Sequence, residues 1–168
     1  MTKTAIFRIE LLDKQDRSAF DCGSQQLNAY LKNTAGQDVR RGLATCFVSI
    51  DNATDALAGY YTLSASSVTL QELPKDQNFG RYTSVPAILI GRLAVDKRFQ
   101  SLGLGRQLLY DAMREAAMSR IGVALLVVSA KNDKALNFYR HCGFQVYGSS
   151  GDHLFMSMKD VKRAAALG

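Results

Sequence analysis

The sequence predicts an α/β (α+β) chain built on a mixed central β-sheet flanked by helices on both faces. Three observations predict it. Two β-branched segments separated by a turn in the first third of the chain read as an antiparallel hairpin. The second half alternates strand and helix, the pattern of parallel pairing. The run Val123–Val128 is apolar without interruption, as suits a strand covered on both faces. The length of 168 residues suits one domain spanning residues 1–168, long enough to bury a core without disulfide staples.

The elements follow in order. Ile6–Leu11 reads as a short strand. Cys22-Gly23 breaks the chain, Ser24 is a good N-cap, and Leu27, Tyr30, Leu31 and Ala35 recur at helical spacing, so a helix runs from Gln25 to the mid-thirties. Thr45–Ile50 and Leu57–Val68 are the hairpin strands, with Asp51-Asn52 as turn chemistry between them. The chain's only prolines, Pro74 and Pro86, mark the polar loop Gln71–Pro86. Ala87–Val95 reads as a central strand. Gly103–Ser119 is a helix whose apolar stripe is Leu104, Leu108, Ala112 and Ala116. Asn132 or Asp133 caps the next helix, with the stripe Ala135, Phe138, Tyr139 and Cys142 and a stop at Gly143. Phe144–Tyr147 and the alternating Leu154–Met158 are final strands. Val161–Leu167 reads equally as a short helix or a frayed tail.

Hydrophobic residues make up 47% and charged residues 21%, an ordinary globular balance that excludes a disordered chain. Three well-separated cysteines, Cys22, Cys46 and Cys142, exclude a disulfide scaffold and a cysteine-rich metal site; no metal is expected. No apolar run is long enough to span a membrane, and Met1–Glu10 lacks a signal-peptide core, so the expected compartment is the cytoplasm. The net charge of +6 is uneven. Residues 1–74 carry 7 basic against 8 acidic side chains, whereas residues 75–106 are net +4 and residues 131–168 net +3. The excess favours an anionic partner, without a polybasic tail.

The strongest local signal is Gln100-Ser101-Leu102-Gly103-Leu104-Gly105, between the strand end Leu93-Ala94-Val95 and a helix. Glycines at such a junction let a phosphate approach the first free N–H groups of the helix, whose dipole favours the charge. Arg98 and Arg106 flank the loop and can neutralise phosphate. A Walker-type loop is excluded because no Lys follows Gly105, and a dinucleotide fingerprint because Leu108 stands where its third glycine belongs.

These residues, with Asn137-Phe138-Tyr139-Arg140-His141-Cys142-Gly143-Phe144, resemble the GNAT superfamily of acetyl-CoA-dependent N-acetyltransferases. Phe20-Asp21-Cys22-Gly23, Leu27-Asn28-Ala29-Tyr30-Leu31, Gln37-Asp38, Gly59-Tyr60-Tyr61-Thr62-Leu63-Ser64 and Gly91-Arg92-Leu93-Ala94-Val95-Asp96 narrow it. They resemble the GNAT toxins of bacterial type II toxin–antitoxin modules, in the right order from Phe20 to Phe155. Two positions depart: Ser101 stands where relatives often have Gly, and Ser129 where Asp is common. The resemblance implies the GNAT fold, acetyl-CoA as cofactor, and acetylation of the α-amino group of aminoacyl-tRNA, which blocks translation. It further implies a homodimer and a small ribbon-helix-helix antitoxin. By the same resemblance the backbone at Leu93, Ala94 and Val95 pairs with the pantetheine arm and the loop 100–105 holds the pyrophosphate. Asn132, with Ala135 and Phe138, meets the cofactor arm, and Tyr139 protonates the departing sulfur. From spacing alone Tyr139 reads as a core residue, and the resemblance makes it the acid instead.

No paired carboxylates stand near the motif, and His141 and His153 are the only histidines, so no strong general base is evident. That suits an α-amine, with a pKa of about 7.7–8.0, better than a lysine amine at about 10.4. Arg81, Arg92, Lys131 and Arg140 are candidates for contact with RNA phosphates. The competing reading is a GNAT enzyme acting on a small amine or a protein amino group.

Overall fold

The computed structural model describes residues 5–167, the side chain of Leu167 excepted. The part of the N-terminal reading that concerns Met1–Thr4 lies outside the described residues. Seven strands, β1 (Phe7–Leu11), β2 (Thr45–Asp51), β3 (Leu57–Thr69), β4 (Ser84–Val95), β5 (Leu125–Ser129), β6 (Gln145–Tyr147) and β7 (His153–Ser157), form one mixed sheet in the order β1-β2-β3-β4-β5-β7-β6. The helices are α1 (Gln25–Ala29), α2 (Ala35–Arg40), α3 (Leu104–Ala117), α4 (Asp133–His141) and α5 (Met158–Leu167). Two compact units are distinguished, Met1–Leu63 with Arg92–Asp111 and Ser64–Gly91 with Ala112–Gly168.

In the first unit, β1 pairs antiparallel with β2 and β2 with β3, the hairpin its β-branched residues predict. The first helix is longer than its periodicity indicates. Ser24 caps α1 as expected, its hydroxyl accepting from Leu27 N. A π-turn, Tyr30–Thr34, then carries α1 into α2, so helix continues to Arg40. The wide turn takes up a register change that the simple 3.6 pattern hides. It leaves Tyr30, Leu31 and Ala35 all buried. They join Phe20, Cys46, Val48, Ile50, Leu57, Tyr60 and Ala94 in the core of this unit.

In the second unit, Ala87–Ile90 of β4 runs parallel to Leu125–Val128 of β5. All four residues Leu125–Val128 are buried, as their uninterrupted apolar run requires. β4 begins at Ser84, so Pro86 lies inside the strand and not in the loop; its carbonyl accepts from Ala124 N at 2.9 Å. A 3₁₀ turn, Leu70–Glu72, interrupts the expected loop. Strand β7 pairs antiparallel with both β5 and β6 and therefore lies between them. The burial of β7 does not alternate: Leu154, Phe155 and Met156 are all buried, and Met158 opens α5. The C-terminal segment is helical through Leu167. Val68, Leu73, Val85, Ala87, Leu125, Val127, Tyr147 and Phe155 form this unit's core.

Candidate functional site

The glycine loop belongs to the first unit. After Val95 the chain passes through Asp96, a 3₁₀ turn at Lys97–Phe99, and the loop Gln100–Gly103, and enters α3 at Leu104. Asp96 is 1% exposed and N-caps the turn, its Oδ1 accepting from Arg98 N at 2.8 Å. Gln100 is exposed, and its Nε2 donates to the carbonyls of Val95 (3.0 Å) and Cys22 (3.5 Å). It braces the loop against the end of β4. Ser101 and Gly103 both adopt left-handed backbone, with φ of +66° and +78°. A Cβ at Gly103 would meet nothing within 4 Å, so glycine is favoured there by conformation and the space in front of α3 is open.

The first intrahelical bond of α3 runs from Gln107 N to the carbonyl of Gly103 at 3.1 Å. Leu104, Gly105 and Arg106 therefore present first-turn amides that helix geometry leaves without an acceptor. Leu104 is buried and anchors this turn, while Leu102 and Arg106 are exposed. Open amides, a helix dipole and an exposed cation together fit a diphosphate. The strand residues Leu93 and Val95 are half-buried and Ala94 is buried.

Two predicted arginines are partly committed elsewhere. Arg98 sends Nε to Asp96 Oδ1 at 3.0 Å and Nη2 to Oδ2 at 3.1 Å. Burial opposes the charge on Asp96, but the hydrogen bonds from Arg98 and from the Asp21 and Arg98 backbone outweigh it and hold its pKa below the usual carboxylate range. Arg92 is half-buried, with its guanidinium carbon 3.4 Å from the centre of the Tyr30 ring. It is a stacking partner of the core residue Tyr30, which occupies one face of the guanidinium. Tyr30 donates to Asp38 Oδ2 at 2.9 Å, and burial, with that bond, pushes its pKa up to about 12.

The remaining predicted residues lie in the second unit. Asn132 caps α4, its Oδ1 accepting from Ala135 N at 2.8 Å, which decides between the two possible caps. Lys131, just before this helix, Arg140, on it, and Arg81 are exposed. Tyr139 is buried, its ring edge-to-face with Phe138 (5.2 Å) and Phe144 (5.8 Å). Burial drives its pKa well above that of a free phenol. No described residue hydrogen-bonds the Tyr139 hydroxyl, and the two buried polar side-chain atoms without partners are Ser49 Oγ and Thr62 Oγ1. The ring is core, and burial keeps the hydroxyl protonated at neutral pH.

Ser150, Asp152 and His153 also gather in the second unit, but both bonds to the imidazole fall on Nδ1. A nucleophile relay needs the two ring nitrogens to serve different partners. Cys46 is buried, with its pKa pushed up to about 12, and does not supply a reactive thiolate.

Sequence reasoning missed two residues that shape the loop. Asp96 stands inside the recognised run Gly91–Asp96, but its partner Asp21 is 75 positions away. Gly59 is the other: a Cβ there would lie 2.9 Å from the Ala94 carbonyl and 2.9 Å from Leu108 Cδ1. The only available signal was the Gly59-Tyr60-Tyr61 run itself. Its tyrosines brace the unit, Tyr60 donating to Leu27 O at 2.7 Å and Tyr61 to Asp111 Oδ2 at 2.6 Å.

A strand that ends in a glycine loop and feeds open helix amides has the chemistry to receive a phosphate, and the family model for the acetyltransferase (GNAT) domain matches residues 42–146. The chain belongs to the GNAT acetyltransferase family. It is 34% identical over 152 residues to the tRNA-acetylating toxin of Mycobacterium tuberculosis, covering 89% of this chain and 90% of that one. Among solved structures it resembles a tyrosine-to-phenylalanine mutant of KacT, with 30% identity, 95% and 99% coverage and a TM-score of 0.88. It also resembles AtaT complexed with acetyl-methionyl-tRNAfMet, with 30% identity, 94% and 98% coverage and a TM-score of 0.85. A tyrosine-to-phenylalanine mutant of AtaT bound to the C-terminus of the antitoxin AtaR and acetyl-CoA matches at 28% identity, 95% and 98% coverage and a TM-score of 0.79. Among the described residues no helix is long and apolar enough to cross a membrane.

Proposed function

We propose that this chain is the toxin of a type II toxin–antitoxin module, transferring acetyl from acetyl-CoA to the α-amino group of aminoacyl-tRNA and so inhibiting translation. The observation that carries the reading is the open first turn of α3 behind a left-handed Ser101–Gly103 loop, in a chain whose relative over nine-tenths of its length acetylates tRNA. Acetyl-CoA would supply a thioester carbonyl activated for attack and a thiolate leaving group. The amides of Leu104, Gly105 and Arg106, with the Arg106 side chain and the free edge of Arg98, would hold its diphosphate. The backbone at Leu93–Val95 would pair with the pantetheine arm and polarise the thioester carbonyl. Asn132, Ala135 and Phe138 would meet the same arm.

Tyr139 is the residue that supplies a proton. The attacking amine must be neutral, and its proton leaves to water; the new amide forms as the carbon–sulfur bond breaks. The departing sulfur would take the Tyr139 proton, which water would then restore to the phenol; because burial raises its pKa, the phenol carries that proton at neutral and mildly alkaline pH. Arg81, Lys131 and Arg140, all exposed, are the cations of the candidate set free to meet RNA phosphates. On this reading the chain works as one cytoplasmic GNAT domain, forms a homodimer and is neutralised by a small ribbon-helix-helix antitoxin.

The test mixes purified protein, labelled acetyl-CoA and charged or uncharged tRNA. Label is expected on charged tRNA alone. Tyr139→Phe should keep acetyl-CoA binding and lose most of the transfer. Label on protein lysines or small amines, with none on charged tRNA, would overturn the proposal in favour of the other substrate class.

A further inference from the structure

We infer that Asp96 is a positioning residue for the diphosphate of the acyl donor: its buried carboxylate grips one edge of the Arg98 guanidinium and aims the opposite edge outward. The inference rests on reading the loop that follows Asp96 as the diphosphate cradle. The carboxylate is saturated with donors, two on each oxygen. Oδ1 accepts from Arg98 N (2.8 Å) and Nε (3.0 Å), and Oδ2 from Asp21 N (3.0 Å) and Arg98 Nη2 (3.1 Å). A carboxylate that is 1% exposed and holds four N–H groups has one available geometry.

Arg98, by contrast, is half exposed, with 49% of its side chain accessible. A guanidinium has five N–H donors, and two of Arg98's are taken by Asp96. The three that remain, both on Nη1 and the second on Nη2, lie on the outer edge of the fork. That edge suits two phosphate oxygens side by side. Lysine could replace the charge but not the fork, because one ammonium cannot serve a carboxylate edge and a phosphate edge in fixed directions.

The same carboxylate fixes what lies behind the loop. Asp21, held through its N–H by Asp96, accepts from Lys97 N at 2.8 Å through its carbonyl. Gln100 reaches the carbonyl of Cys22 beside it. Three hydrogen bonds thus join the segment 21–22 to residues 96–100, and of the charged side chains there Asp96 is buried.

The experiment compares wild type, Asp96→Asn and Arg98→Lys with two donors, acetyl-CoA and acetyl-pantetheine, which share the thioester and differ in the diphosphate. Calorimetric binding of CoA gives a readout independent of turnover. Each variant is expected to weaken CoA binding and raise the KM for acetyl-CoA about tenfold, the worth of one charge-assisted hydrogen bond. The kcat and the kcat/KM for acetyl-pantetheine should stay at wild-type values. Equal losses on both donors would overturn the inference and make Asp96 a brace only. If wild type itself uses the two donors equally well, the reading of the loop fails, a result distinct from failure of Asp96. Should Asp96→Asn not fold, Asp96→Glu, which keeps the charge but displaces the carboxylate from the Arg98 edge, decides by the same comparison.

Discussion

Gly59→Ala is the perturbation whose consequence follows most directly from the geometry. The new Cβ would lie 2.9 Å from the Ala94 carbonyl oxygen and 2.9 Å from Leu108 Cδ1. Comfortable contact begins at about 3.5 Å, so roughly 0.6 Å must be found on two sides. Neither side yields readily. Leu108 is fully buried, and Ala94 is strand backbone one residue before the Val95 carbonyl that Gln100 grips. The Asp96 N–H bond to Ala58 O, at 2.8 Å, pins the same place. Overpacking of this kind costs about 1–3 kcal/mol. At about 2–4 °C per kcal/mol for a chain of this size, the melting temperature should fall by about 2–12 °C. Because Ala94 and Leu108 frame the loop, the affinity for acetyl-CoA should fall with it. Scanning calorimetry and a binding titration read both effects. Gly122→Ala is the control, since its Cβ would meet nothing within 4 Å and should change little. A Gly59→Ala protein that melts within about 1 °C of wild type would refute the reasoning.

Three further outcomes are expected. The raised pKa of Tyr139 keeps its hydroxyl protonated at pH values where a free phenol, at about 10, would ionise. The alkaline limb of the acetyl-transfer pH profile should therefore lie above pH 10, and a fall centred near pH 9 would exclude Tyr139 as the acid. Ser101, at φ +66°, carries a left-handed strain of about 1–2 kcal/mol that glycine relieves; Ser101→Gly should keep or slightly raise the melting temperature, and Ser101→Val should lower it and weaken CoA binding. Wild-type melting and binding in Ser101→Val would show that the loop does not need this conformation. Arg92→Ala should cost about 1–2 kcal/mol through loss of the Tyr30 stack and leave the salt dependence of tRNA binding unchanged; a slope smaller by about one would return Arg92 to the phosphate-contacting set.

Local signals carried most of this fold. The strand, glycine loop and helix from Ala87 to Ala117 follow from apolar runs and helix-start chemistry that act over a few residues. So does Asn132, whose cap bond to Ala135 spans three positions. What was hidden depends on distant partners or on departures from one period. The π-turn at Tyr30–Thr34 shifts the apolar register, and the helix continues past the mid-thirties to Arg40. β7 comes between β5 and β6 because its antiparallel pairing wins on both sides, and adjacency in sequence does not show that. Arg92 interrupts an apolar strand and reads as an open cation until Tyr30, 62 positions earlier, supplies its aromatic face.

Those distant partners change what the basic excess can do. The net +4 of residues 75–106 looked like a reservoir of free cations, yet Arg92 covers Tyr30, one edge of Arg98 is held by Asp96, and Lys97 Nζ lies 3.6 Å from Asp21 Oδ2. Half of that segment's basic side chains therefore act within the first unit. Arg106 stands on the first turn of α3, where a diphosphate would engage it first. An RNA backbone is left with Lys75 and Arg81 from this segment and the cations around α4. Each phosphate neutralised contributes about 0.7–0.9 to the salt slope. The slope for charged tRNA should accordingly reflect the few exposed, unpaired cations and fall well short of the 21 basic residues in the chain. Saturating acetyl-CoA should leave that slope unaltered if Arg98 and Arg106 serve its diphosphate, as proposed above.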